Sequence, residues 1–200
     1  MAWTVLTGWS VLALWLVGGT ASAQTAGLVP TAPDPDPVVV VAIEDPQRLL
    51  RRGLPFARAI VRDTFRTAGV TVVWEAPPTG TADRTLTITL ISSTDAPADV
   101  SLDATGVAPS PGDGTRGVRA FVFVDRVTAY AEEHGVSLSH VLACVMAHEI
   151  GHLLLPPNAH VPEGVMQRGW HPRQFPPKAA GVPGFPADQA RLLRRRARRM

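Results

Sequence analysis

Cysteine is almost absent from this chain of 200 residues, which contains only Cys144. A single thiol cannot form an intramolecular disulfide, so the folded state must be stabilised by packing. Cys144 lies four residues before His148, and on a helix the two would share a face. Its thiol is a potential metal ligand, although a small buried core residue is the commoner role of a lone cysteine.

Charged side chains are absent from residues 1–23, and residues 11–17 form a short apolar run. The segment ends in Ala21-Ser22-Ala23, the small-residue pattern that signal peptidase cleaves. We therefore predict a signal peptide over residues 1–23 and a secreted or periplasmic protein that begins at Gln24. The apolar run is too short for a comfortable membrane span, and no other segment is long and apolar enough. We expect no stable membrane association after cleavage.

The remaining chain is predicted to form a Pro-rich spacer over residues 24–37 and one α+β domain over residues 38–200. Segments rich in β-branched residues predict a twisted mixed sheet of about four strands, at residues 38–43, 70–74, 85–91 and 120–124. The intervening residues 96–117 are rich in Asp, Gly, Ser and Pro and predict a long surface loop. No internal repeat is present.

Helical spacing of apolar residues predicts the helices of this domain. A long N-terminal helix is expected to begin at Asp45-Pro46 and to reach Gly69, with an interruption at Gly53-Leu54-Pro55. A short helix is expected over residues 125–134, another from Ser137 or Ser139 to Pro156-Pro157, and a short C-terminal helix from Asp188.

The helix that ends at Pro156-Pro157 carries the pattern HExxH, formed by His148, Glu149 and His152. Because helical positions four apart lie on one face, the two imidazoles can point at the same spot. Two neutral imidazoles can supply two of the three protein ligands of a catalytic zinc site, with Glu149 placed to act on water at the open position. The pattern therefore predicts a hydrolytic zinc site.

His160 is the best candidate for the third metal ligand. The two prolines end the helix, and Asn158 tolerates the left-handed backbone conformation that a reversing turn needs. A chain that doubles back there can bring His160 to the metal. His171 and Glu163 are the alternatives, while His134 and His140 are weaker ones.

These residues resemble the metzincin clan of zinc-dependent metallopeptidases, whose signature is HExxHxxGxxH followed by a turn that bears a methionine. The matching residues are His148, Glu149, His152, His160 and Met166, the last in Gly164-Val165-Met166. The element order is similar over about residues 38 to 193. Leu155 stands where the signature has glycine, and His160 comes two residues later than the third histidine of the signature.

The resemblance implies a metzincin-like catalytic domain that binds Zn²⁺ and acts as an endopeptidase on a peptide or protein substrate. The metal ligands would be His148, His152 and His160. The zinc would lower the pKa of its bound water, and Glu149 would take the proton and return it to the leaving amine. Met166 would lie beneath the metal, Trp170 is a candidate for the substrate pocket, and the strand at 120–124 is a candidate upper rim that pairs with substrate.

Two other functions remain open from the sequence. The first is an exported zinc-binding protein whose site is structural or vestigial, with Cys144 or His171 closing the fourth position. The second is an interaction module in the basic C-terminal tail, although a solvated, fraying helix end is the simpler interpretation of that tail. No nucleic-acid partner is expected, because neither interleaved aromatic residues nor a binding motif accompanies the arginines. The tail arginines are Arg191, Arg194, Arg195, Arg196, Arg198 and Arg199.

Overall fold

The structure is a computed structural model, and it describes residues 34–50, 53–75, 85–97, 100–109, 117–175 and 182–200. The predicted signal peptide and most of the predicted spacer lie outside the described residues and stay predictions. The described residues after Asp34 belong to one compact unit, Pro35–Met200.

A mixed sheet of five strands runs through this unit, with the strands β1 (Val38–Glu44), β2 (Thr71–Glu75), β3 (Thr85–Ile91), β4 (Gly106–Val107) and β5 (Arg119–Phe123). Their order across the sheet is β2-β1-β3-β5-β4. The strands β2, β1, β3 and β5 are parallel to one another, whereas β4 pairs antiparallel with β5 at the edge of the sheet. The α+β prediction is confirmed, and the sheet has one strand more than the four predicted.

The additional strand, β4, lies inside the segment that was predicted to be a surface loop. Gly106 pairs with Val122, and Val107 pairs with Phe121. A strand of two residues in a Gly- and Asp-rich segment has no alternation of apolar and polar residues, which is the signal that identifies strands in a sequence.

Four α-helices accompany the sheet in the described residues: α1 (Leu54–Thr67), α2 (Val124–Glu133), α3 (Leu138–Leu154) and α4 (Ala187–Ala197). The start predicted for the N-terminal helix is wrong. Asp45 accepts hydrogen bonds from the backbone of Leu49 (2.8 Å) and Leu50 (3.1 Å) in a separate turn. Gly53 has a φ of 89°, and Pro55 lies in the first turn of α1, so the helix begins only there.

The helix α3 lies at the centre of the core. Its residues 141–151 are all buried, because the helix is apolar on nearly every side and contacts the sheet and each of the other three helices. Ser137 precedes it but makes no side-chain capping hydrogen bond. Among the described residues, no helix combines the length and apolar character that a membrane span requires. Because α3 is buried along most of its length, the predicted metal-binding motif lies within the core of the domain.

The C-terminal helix α4 packs on this core instead of fraying from it. Leu193 and Ala197 are buried. Arg194 Nη1 donates a hydrogen bond of 2.7 Å to the carbonyl of Ala68, directly after α1. The interpretation of the tail as a fraying helix end is therefore wrong as far as Ala197.

Replacing Phe65 by alanine tests how strongly α1 is packed. Phe65 is fully buried, and its ring centroid lies 4.9 Å from that of Phe185. The cavity left by Phe65→Ala should lower the free energy of unfolding by about 3–5 kcal/mol in urea titrations. Phe56→Ala, on the same helix but 72% exposed, is the matched control and should change it by less than about 0.5 kcal/mol. Equal losses in the two variants would contradict this packing.

Candidate metal centre

The first two histidines of the motif project from α3 toward the same point. Their ring centroids are 4.6 Å apart, and the Nε2 atoms of His148 and His152 are separated by 3.0 Å. The four-residue spacing on a regular helix accounts for this proximity. His148 is buried and His152 is half-buried, so the helix presents one enclosed and one more accessible nitrogen.

His160 reaches the same point from the segment after α3. The helix ends before Pro156, and Asn158 adopts the left-handed conformation predicted for it, with a φ of 59°. This reversal brings His160 Nε2 to 3.1 Å from His152 Nε2 and 3.3 Å from His148 Nε2. Gln189 of α4 donates a hydrogen bond of 2.6 Å to the carbonyl of Ala159, which ties the returning segment to the core.

The three Nε2 atoms lie close enough together to bind one metal ion. A tetrahedral zinc ion with Zn–N distances of about 2.05 Å would separate its nitrogen ligands by about 3.3 Å. The separations in the structure, 3.0–3.3 Å, agree with that value. Among the described residues the cluster consists of three imidazole nitrogens, and no fourth protein ligand joins it. Three protein ligands with an open fourth position are the donor set found in catalytic zinc sites.

The tautomer of His148 is set by the residue before Met166. Nδ1 of His148 lies 2.8 Å from the carbonyl oxygen of Val165, and since a carbonyl only accepts, Nδ1 must carry the proton. In the neutral ring Nε2 then presents a lone pair to the other two histidines. A backbone carbonyl that orients a histidine through its second nitrogen is the usual support of a metal ligand.

Burial keeps the three histidines in the neutral form that binds metal. Desolvation lowers the pKa of His148 to about 4, with a further lowering by the charge of His160 and an opposing effect of the Val165 carbonyl. The pKa of His152 is also lowered to about 4, first by burial and then by its two histidine neighbours. The pKa of His160 is lowered by burial and by the nearby charge of Arg168.

Glu149 lies beside the histidines with one carboxyl oxygen unused. Its side chain is buried, and Oε2 has no hydrogen-bond partner among the described residues. Burial raises its pKa to about 8. An unpaired buried carboxyl is costly in a core, which favours a role in the site.

The edge strand β4 lies directly against this carboxyl group. A Cβ atom at Gly106 would be 2.7 Å from Oε1 of Glu149 and 2.9 Å from its Cγ. Only glycine therefore allows the strand to approach so closely. Sequence analysis missed Gly106, because one glycine in a Gly-rich loop carries no recognisable signal.

Met166 packs against α3 at Gly151. It is fully buried, and a Cβ atom at Gly151 would lie 2.4 Å from its sulfur. Gly151, inside the motif, thus leaves the space that Met166 fills. The turn that carries Met166 begins at Gly164, whose φ is 88°.

The histidines and Glu149 face a cavity of about 320 Å³. Residues 103–108, which include β4, line it together with Arg168 and Trp170. β5 was a candidate for the upper rim, but it lies inside the sheet between β3 and β4, so that proposal is wrong and β4 occupies the rim.

Trp170 connects the cavity wall to α2. Its ring stands edge-on to His148, with the centroids 5.3 Å apart. Tyr130, the one tyrosine of the chain, donates a hydrogen bond of 2.7 Å to the Trp170 carbonyl. Tyr130 was also missed, because its partner lies 40 residues away and nothing in the sequence links the two.

The alternative ligands do not join the cluster in the described part of the chain. Nδ1 of His171 accepts a hydrogen bond of 3.2 Å from the backbone of Arg173 in a short 3₁₀ turn, and Glu163 is exposed. Cys144 is buried within α3, where desolvation raises its thiol pKa well above the usual value. His134 packs edge-on against the ring of Tyr130 instead.

Substitution of Gly151 by alanine tests the contact between the motif helix and Met166. The change gains about 1 kcal/mol of helix propensity, whereas the clash with Met166 costs about 1–3 kcal/mol. We expect a net loss of up to about 2 kcal/mol in the free energy of unfolding of the metal-free protein. Gly169→Ala is the control, because a Cβ there meets no atom within 4 Å. A Gly151→Ala protein more stable than wild type would refute the close contact.

Comparison with known proteins gives a likeness to solved structures but none to a protein family or a curated sequence. No protein-family model matches the sequence, and no curated protein does. Among solved structures, metalloproteinase-II from Bacteroides fragilis is similar, with 15% identity and a TM-score of 0.48. The match covers 82% of this chain and 54% of that one, so this chain spans about half the length of the protein it resembles.

Proposed function

We propose that this protein is a zinc-dependent metallopeptidase of the metzincin type, an enzyme that hydrolyses internal peptide bonds. One observation carries the proposal: three Nε2 atoms converge within 3.0–3.3 Å of one another beside the buried carboxyl group of Glu149. The same cleft contains a glycine-bearing edge strand, which suits an extended substrate.

Zinc is the metal that the donor set fits best. Imidazole nitrogens suit zinc, and three histidines with an open position are typical of its catalytic sites. His148, His152 and His160 would hold the ion. When bound, zinc supplies a Lewis acid that lowers the pKa of a water molecule and polarises the carbonyl of the substrate.

Glu149 would act as the general base and then as the general acid. Its free Oε2 can accept the proton of the attacking water, and the protonated carboxyl can then donate that proton to the leaving amine. Burial makes this carboxylate a stronger base than an exposed glutamate, while a cation held by the histidines would favour its ionised form.

The edge strand β4 would bind the substrate backbone. β4 pairs with β5 on one side, and its other side faces away from the sheet, where an extended peptide can add as a further strand. A second cavity of about 200 Å³ adjoins His152 and is lined by Ala108, Pro109 and Gly117. This cavity leaves space for substrate next to β4 and beyond the histidines, which supports cleavage within a peptide chain rather than at its end.

A structural or vestigial zinc site is the alternative function. Such a site closes the fourth position with a protein ligand, for which Cys144 and His171 were the candidates. Neither belongs to the histidine cluster of the described residues. The cavity in front of the three nitrogens therefore favours the hydrolytic function.

Elemental analysis of the purified protein tests the metal site. We expect about one zinc per chain in the wild type, and His160→Ala should weaken zinc affinity at least about a hundredfold, since a direct ligand contributes more than its supporting residues. The control is His171→Ala, which removes a histidine of the same region and should retain zinc. Wild-type protein that takes up no zinc on reconstitution would refute the site.

The variant Glu149→Gln separates metal binding from chemistry. It preserves the shape of the side chain but cannot accept the proton, so peptide cleavage should fall at least about a hundredfold while zinc content is unchanged. Cleavage is measured on a library of unstructured peptides. Glu163→Gln, at an exposed position three residues after His160, should cleave like the wild type. Undiminished cleavage by Glu149→Gln would show that another group is the base.

A further inference from the structure

A third cavity, of about 320 Å³, lies between α4 and the end of α3. From α4 it is lined by Leu192, Arg195 and Arg196, and from the turn that follows α4 by Arg199. Leu154, at the end of α3, and Pro156, just after it, complete the lining. The three residues of α4 follow the spacing i, i+3 and i+4, so they share one helix face. The three arginines therefore line one cavity at the C-terminal end of α4, together with apolar residues.

The positive charge of this cavity is not compensated in the described part of the chain. Arg195, Arg196 and Arg199 form no ion pair with any described residue, and no carboxylate lines the cavity. The one acidic residue of α4, Asp188, pairs with Arg191 instead. Like charges three and four residues apart destabilise a helix, so a bound anion would stabilise this arrangement.

Arg196 shows the strongest sign of a missing partner. Its Nε is buried and has no hydrogen-bond acceptor among the described residues. A buried guanidinium N–H without an acceptor is costly, and an anion in the cavity would supply one. The negative end of the α4 dipole amounts to about half a charge, too little to offset three guanidinium groups.

We propose that this cavity binds a phosphate group carried by a molecule with a hydrocarbon part. Guanidinium groups bind phosphate oxygens through paired, charge-assisted hydrogen bonds, and three of them match a doubly charged phosphate better than a single carboxylate. Leu154, Pro156 and Leu192 provide apolar surface for the adjoining hydrocarbon. This site is separate from the proposed peptidase reaction and does not depend on it.

Two sources share this chemistry: a soluble organic phosphate and the headgroup of an anionic phospholipid. Hexyl phosphate, measured by titration calorimetry, represents the first. Vesicles of phosphatidylglycerol, compared with phosphatidylcholine vesicles in a sedimentation assay, represent the second.

The decisive variants remove equal charge at different places. Arg195→Gln combined with Arg199→Gln alters two exposed residues of the cavity. The matched control combines Arg62→Gln with Arg191→Gln, also exposed but outside the cavity. The cavity variant should weaken the binding of hexyl phosphate at least about tenfold, whereas the control should change it less than about twofold. Both variants should keep the thermal stability of the wild type.

The outcomes distinguish the sources and test the site. Binding of hexyl phosphate that depends on Arg195 and Arg199, without vesicle binding, supports a soluble ligand. Vesicle binding that is selective for phosphatidylglycerol and lost in the cavity variant supports a headgroup. Absence of binding to both probes, or equal weakening in the two double variants, would overturn the proposal, since equal weakening indicates general attraction to a basic protein.

Discussion

The hydrogen bond between His148 Nδ1 and the Val165 carbonyl is the contact on which the arrangement of the site depends. At 2.8 Å it joins the buried helix to the turn that carries Met166, and it leaves Nε2 free to face the other histidines. Met166 fills the space beside Gly151 on the same helix, so one turn both orients His148 and packs against α3. A change in that turn would therefore alter the metal site and the core together.

Burial in α3 explains how the candidate site combines neutral histidines with a carboxyl group of raised pKa. The same desolvation that lowers the pKa values of His148 and His152 raises that of Glu149. In a site without a cation this arrangement would leave a carboxyl oxygen unpaired, at a cost in stability. Such a cost beside a cluster of three histidines is what a functional site is expected to show. The unpaired carboxyl oxygen of Glu149 thus supports a chemical role for this residue.

The sequence was sufficient to predict an element or a contact where the residue spacing matches the repeat of a helix. Apolar spacing predicted α3, and the spacing of His148 and His152 predicted that they would meet. It was insufficient where contacts are distant or an element is very short. The two residues of β4 show no period, and the hydrogen bond of Tyr130 to Trp170 joins unrelated segments. The third histidine was an intermediate case: three candidates lay close in sequence, and the packing of the turn brought His160 to the other two.

The unusual spacing before His160 has a conformational explanation. A chain that reverses direction commonly needs one residue with positive φ, for which glycine is best and asparagine tolerable. Leu155, at the glycine position of the metzincin signature, is extended, with φ −86° and ψ 163°, and the reversal falls on Asn158 at φ 59°. Because Asn158 itself is used for the turn, the ligand follows two residues later. The departure in spacing is therefore compatible with a three-histidine site, since the position of the turn and the position of the ligand have moved along the chain together.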